Sequence, residues 1–138
     1  MRKLVLLLLL LVVVLSLAAC GGGSTTSTEG GSAPTAGDAA AGEALFAQTL
    51  IGTQAGCATC HSLEPDVVMV GPSMAGVAAV AGSRVPGLSA EEYLRQSIVE
   101  PDAYVVDGFA QGLMPAALAT ELSERQLNDL VAYLLTLE

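Results

Sequence analysis

Apolar and polar positions divide the chain into unlike stretches. Residues 4–15 are apolar without a break, residues 21–37 show no apolar period, and helical spacing begins only near Asp38. The clearest period lies near the end, where Leu127, Leu130, Val131, Leu134 and Leu135 occupy offsets 0, 3, 4, 7 and 8, one stripe of an α-helix. Ser123-Glu-Arg-Gln ahead of it is a capping box, in which the Ser123 hydroxyl and the Gln126 side chain satisfy N–H groups that a first helical turn leaves unpaired. A second box, Ser89-Ala-Glu-Glu, opens a helix with Tyr93, Leu94, Ile98 and Val99 on its apolar side, and Pro101 stops it.

Asp38 is an N-cap candidate for a first helix running to about Leu50, with Gly52 and Gly56 breaking it before the cysteines. Between Ser62 and Pro86 loops dominate, and the helical candidate there is a short stretch around Ser73 to Val80. No run keeps a strand period for long. The pattern predicts a small, loop-rich, all-α domain over residues 38–138.

The first nineteen residues change the picture of the rest. Arg2 and Lys3 precede the apolar run, and Leu17-Ala18-Ala19-Cys20 follows it, so residues 1–19 read as a secretory signal. The run is short for a membrane span of about 20 residues, and it ends in small residues rather than in a basic flank. Leu17-Ala18-Ala19-Cys20 also resembles a bacterial lipobox, which makes Cys20 the expected lipidation site; an uncleaved anchor helix is the alternative. Residues 20–37 then read as a lipidated Cys and a flexible Gly/Ser/Thr linker with a reach of roughly 20–25 Å on coil scaling. The expected location is outside the cytoplasm, anchored to the outer face of the bacterial cytoplasmic membrane or to a periplasmic-facing membrane.

Removal of the signal leaves Arg84, Arg95 and Arg125 against fourteen acids, a formal charge of −11. Such a chain is not built for nucleic acid or anionic lipid headgroups; a basic partner patch, or an apolar contact rimmed by charge, suits it better. With two Phe, three Tyr and no Trp, the domain is poor in aromatic core material, and a large flat apolar cofactor would supply packing area. With Cys20 assigned to lipid, only Cys57 and Cys60 remain, and both belong to one motif.

That motif is Cys57-Ala58-Thr59-Cys60-His61, the Cys-x-x-Cys-His pattern of c-type haem attachment. Each thiol adds to one vinyl group on the same porphyrin edge, so the two must sit a short turn apart, and the adjacent histidine then falls beneath the ring. Zinc would want four ligands, and a thioredoxin-like dithiol would want strands and crossover helices; the sequence offers neither. His61 is the only histidine, so a second axial ligand must be another residue type. Among Met69, Met74 and Met114, the expected one is Met114. It follows His61 by 53 residues in the turn-prone Gly112-Leu113-Met114-Pro115, whereas Met69 and Met74 lie on chain leaving the proximal side and read as core or loop residues.

From about Ala39 to Glu138 the sequence resembles the class I, mono-haem cytochromes c, of a bacterial lipoprotein type. The stretch Ser97–Phe109 is similar to cytochrome domains that serve haem-copper oxidases. The resemblance implies one haem c bound through Cys57 and Cys60, with His61 and Met114 on the iron and the Pro72 carbonyl holding the His61 ring. It also implies that Gly42 and Phe46 of the first helix cross Tyr133 of the last. Tyr93, Tyr104 and Arg84 are candidates for the propionates.

Two departures stand out. Eleven positions separate Phe46 from Cys57, more than is usual in the family, and the lysine ring of mitochondrial relatives is missing. The implied function is a membrane-tethered electron carrier, not an enzyme. It would pass single electrons in a bacterial respiratory or photosynthetic chain, between a donor complex and a terminal oxidase. A fixed subunit of an oxidase or dehydrogenase complex, and a haem sensor or peroxidase, are the alternatives.

Overall fold

The computed structural model describes residues 36–138. The expected signal (1–19), the expected lipidation site Cys20 and the expected linker as far as residue 35 lie outside the described residues. Along the chain come α1 (Ala39–Phe46), the two short strands β1 (Leu50–Ile51) and β2 (Gln54–Ala55), and a 3-10 turn at Cys57–Thr59. Four helices follow: α2 (Val77–Arg84), α3 (Ala90–Val99), α4 (Leu118–Glu121) and α5 (Glu124–Leu134).

Both capping boxes form as the sequence predicts. Ser89 and Ser123 each accept from the backbone N–H three residues on, and Glu92 and Gln126 reach back to the two cap N–H groups. The bonds from the Ser89 backbone and hydroxyl hold the Glu92 carboxyl below its ordinary range. Four of the five expected stripe residues, Leu127, Leu130, Val131 and Leu134, are buried on α5, while Leu135 caps its end and is half-buried; Leu130 is only 1% exposed, a burial that contributes about 1.5–3 kcal/mol for a side chain of that size.

The two ends of the domain meet where α1 crosses α5. Gly42 is buried at the crossing, and a Cβ there would overlap the Asp129 carbonyl and lie 2.8 Å from Tyr133 Cβ. Beside it the Phe46 and Tyr133 rings stand 5.6 Å apart at 57°. Burial, with the Glu43 carboxylate adding to it, raises the Tyr133 phenol above its ordinary value. Asp129 is a buried carboxylate in α5 that accepts the Asp38 N–H at 2.7 Å, while Asp38 caps α1 through the N–H groups of Ala40 and Ala41. α3 joins the pair through Arg95, which reaches Glu124 at 3.4 Å and also bonds Asn128.

Three elements differ from expectation. α1 stops at Phe46, not near Leu50, because the next residues turn into an antiparallel hairpin that pairs Leu50 with Ala55 and Ile51 with Gln54. Gly52 has φ 57° and takes the first position of the two-residue loop, where this kind of turn requires a positive φ. The hairpin uses up the unusual length between Phe46 and Cys57. The second helix begins at Val77 rather than Ser73, since Ser73 spends its hydroxyl on the Glu64 carbonyl and on the Ala75 N–H and so holds a turn. α4 has no counterpart in the sequence pattern.

Candidate haem site

Hydrogen bonds on both sides fix the backbone of the Cys-x-x-Cys-His segment. Gly56 closes the hairpin by donating to the Thr49 carbonyl at 2.9 Å, at a point where any Cβ would overlap the Gln48 carbonyl. The Cys57 carbonyl then accepts from both Cys60 N–H (3.1 Å) and His61 N–H (2.9 Å), winding the five residues into a single tight turn. Thr59 ties this turn back to the Gly56 carbonyl through its hydroxyl at 2.6 Å. Neither cysteine is in a disulfide. Burial pushes the Cys57 thiol above its usual value; a bond to its own backbone opposes the rise and Cys60 adds to it.

The chain beyond His61 folds back to hold that residue. Gly71 N–H donates to the Cys60 carbonyl at 2.9 Å and Met74 N–H to the Ser62 carbonyl at 2.8 Å. Pro72 is thereby set so that its carbonyl lies 2.8 Å from His61 Nδ1. A carbonyl only accepts, so Nδ1 carries the proton and Nε2 keeps its lone pair for a metal. Gly71 packs directly on the ring: a Cβ there would overlap His61 Cε1 and sit 2.8 Å from Nδ1. Gly71→Ala is therefore expected to displace the imidazole at a cost of about 1–3 kcal/mol. Covalent haem should survive on a denaturing gel while the native absorption bands move, and a native spectrum identical to wild type would refute this.

A cleft of about 1170 Å³, solvent at its mouth included, opens beside this turn. Cys57, Cys60, His61, Pro72 and Met114 all line it, so the predicted site residues converge on one cavity. Its walls are otherwise mostly apolar and include Phe46, Leu94, Ile98, Leu130 and Leu134. Met114 comes from a loop that Gly112 anchors by donating to Asp102 Oδ1 at 2.8 Å, just past the end of α3. Met74 also lines the cleft, but on the segment tied to Ser62, whereas Met69 is outside it and 47% exposed. Of the three propionate candidates, Tyr93 and Tyr104 line the cleft, with their rings edge to face at 5.9 Å, and Arg84 does not.

Sequence reasoning missed Val105, Val106 and Phe109 as cavity wall, together with Leu118 of α4. These residues have no helical period, and the likeness of Ser97–Phe109 to other cytochromes was the signal that pointed near them. Among the described residues no three His, Cys, Asp or Glu side chains gather as a metal site, so a four-ligand zinc reading finds no partners. An apolar cleft, two thiols on one turn and an imidazole with Nε2 free fit a covalently held porphyrin.

Comparison with known proteins agrees with that fit. The cytochrome c family model matches residues 39–138. Cytochrome c2 of Rhodopseudomonas palustris is 31% identical over 123 residues, an alignment covering 73% of this chain and 99% of that protein. The chain belongs to the cytochrome c family, as a class I mono-haem member that takes one haem c through Cys57 and Cys60.

Proposed function

We propose that this cytochrome is a carrier of single electrons, tethered to a membrane by lipid on Cys20, with His61 and Met114 as the side chains that would hold its iron. When bound, the haem supplies a reversible one-electron couple. The chain's own residues do the rest. The Pro72 carbonyl holds the His61 ring in one tautomer, and the Gly112–Asp102 bond steadies the loop bearing Met114. The apolar walls exclude water, which keeps reorganisation small between oxidation states.

The observation that carries the reading is that Met114 and His61 reach the same cleft from separately anchored loops. With both side chains engaged, the iron would have no position for a substrate or a gas, and transfer of an electron would be the chemistry left to it. The likeness of Ser97–Phe109 to oxidase-associated domains favours a terminal oxidase as acceptor.

The test uses the full chain, loaded with haem during export. Ferrous protein should cycle with ferricyanide in one step and leave its spectrum unmoved under carbon monoxide, and it should sediment with membranes unless Cys20 is replaced by Ala. Tight carbon monoxide binding by the wild type would instead mark an open iron site, as in a sensor or peroxidase.

A further inference from the structure

Residues 63–70 are all exposed, and five of the eight are large and apolar: Leu63, Val67, Val68, Met69 and Val70, between 45% and 64% exposed. An apolar run left in water at this length is a cost that folding does not explain, and such patches mark contact sites. Asp66, directly before the valines, has φ 60°, the only positive φ outside glycine among the described residues. Val67 and Val68 lie outside the haem cleft, and nothing among the described residues buries them. Val70, by contrast, lines the haem cleft together with Leu113, which is 49% exposed in the Met114 loop. The patch is therefore continuous with the mouth of the cleft.

We infer that the exposed run Leu63–Val70, joined at the cleft mouth by Leu113, is a docking surface for a redox protein whose own contact patch is apolar and rimmed by basic side chains. The inference rests on the electron-carrier reading above. Charge selects the occupant. Glu64 and Asp66 stand exposed within the run, and of the three arginines outside the signal, Arg95 and Arg125 are already engaged with Glu124 and Asp129. A second copy would bring the same acids against these, and an anionic lipid surface would be repelled in the same way. The residues before Asp38, from Gly21 on, carry no large apolar side chain to lay over the patch. A basic rim pairs with the acids while the valines exclude water at the centre, a small contact of the kind redox encounters use. In the encounter the reduced cytochrome loses one electron and the partner gains it; no bond or proton moves.

The probe is a gold electrode coated with a mixed methyl- and ammonium-terminated alkanethiol layer, which reproduces an apolar patch with a cationic rim. Full-chain holoprotein is compared with the Val67→Ser/Val68→Ser double variant, and with Leu50→Ser and Val80→Ser, exposed apolar positions outside the haem cleft. The double variant should exchange electrons at least fivefold more slowly on this layer at about 0.15 M salt, where screening leaves roughly 8 Å of charge reach. Its reduction potential and its rate with ferricyanide should match wild type, as should both controls on the layer.

Equal rates for wild type and double variant would overturn the surface. So would a wild-type rate as fast on a purely methyl layer, which would indicate a lipid-like occupant. Dimers in sedimentation that the double variant abolishes would give the patch to a second copy and overturn it too. Failure of the carrier reading looks different: the wild type itself would show no reversible one-electron wave on any layer.

Discussion

Met114→Ala should abolish the far-red iron–sulfur band of the ferric protein. The reduction potential should fall by on the order of 0.1–0.3 V, a sizeable part of the ~0.8 V that axial ligation spans. On the proposed ligation the thioether is a soft ligand that favours ferrous iron, so its loss would stabilise the ferric state and open a coordination position. The ferrous variant should then bind carbon monoxide. Truncation also removes packing, since Met114 lies half-buried against the core cluster, and about 2–5 kcal/mol of stability can go with it. Met114→Leu separates the two effects by keeping most of the volume and losing the sulfur. Met74 serves as the control, because it lines the same cleft from the segment that holds His61. Met74→Leu should keep the far-red band, and a band lost in that variant but retained in Met114→Leu would reverse the ligand assignment. Spectroelectrochemistry of the three holoproteins decides it.

Gly42→Ala carries the other large effect. In an ordinary helix interior the change would stabilise by about 0.8–1.0 kcal/mol. Here the new Cβ would meet the Asp129 carbonyl, a backbone atom that cannot rotate away, so α1 and α5 must move apart. Separation loosens the Phe46–Tyr133 ring contact and the bond from Asp38 N–H to Asp129. The net expected loss is roughly 2–3 kcal/mol, toward the upper end of ordinary overpacking. Gly82 in α2 is the comparison. A Cβ there would sit 3.4 Å from Ala90 N and 3.7 Å from Ala90 Cβ, near ordinary contact, so Gly82→Ala should be neutral or gain up to about 1 kcal/mol. Urea unfolding of both holoproteins beside wild type tests the pair, and equal midpoints would show that the crossing tolerates the methyl group.

What the sequence made legible was local. Ser89 with Glu92 and Ser123 with Gln126 are devices four residues long, and each starts its helix where the residue types say. The haem motif is equally local, because the chemistry of attachment demands its spacing. Strands of two residues are too short to show alternation, so the hairpin appeared only as a glycine break. α2 begins after Gly76, which has φ 70° and offers no capping side chain, and that start left no sequence mark. The cavity walls were least legible, since Val105, Val106 and Phe109 are placed by the loop's path and not by a period.

The bond between Asp38 and Asp129 spans 91 residues, and all that lines the haem cleft lies inside that span except Leu130 and Leu134, which follow Asp129 on α5. Closing a loop of this size costs about 4 kcal/mol in chain entropy, which the packing of α1 on α5 must offset. A chain emerging N-terminus first therefore presents Cys57, Cys60 and His61 well before the helix that shuts the fold. The order of emergence leaves the attachment turn, already organised by its own short-range bonds, within reach of the machinery that loads it. Docking of α5 would then close the cleft over a haem already attached.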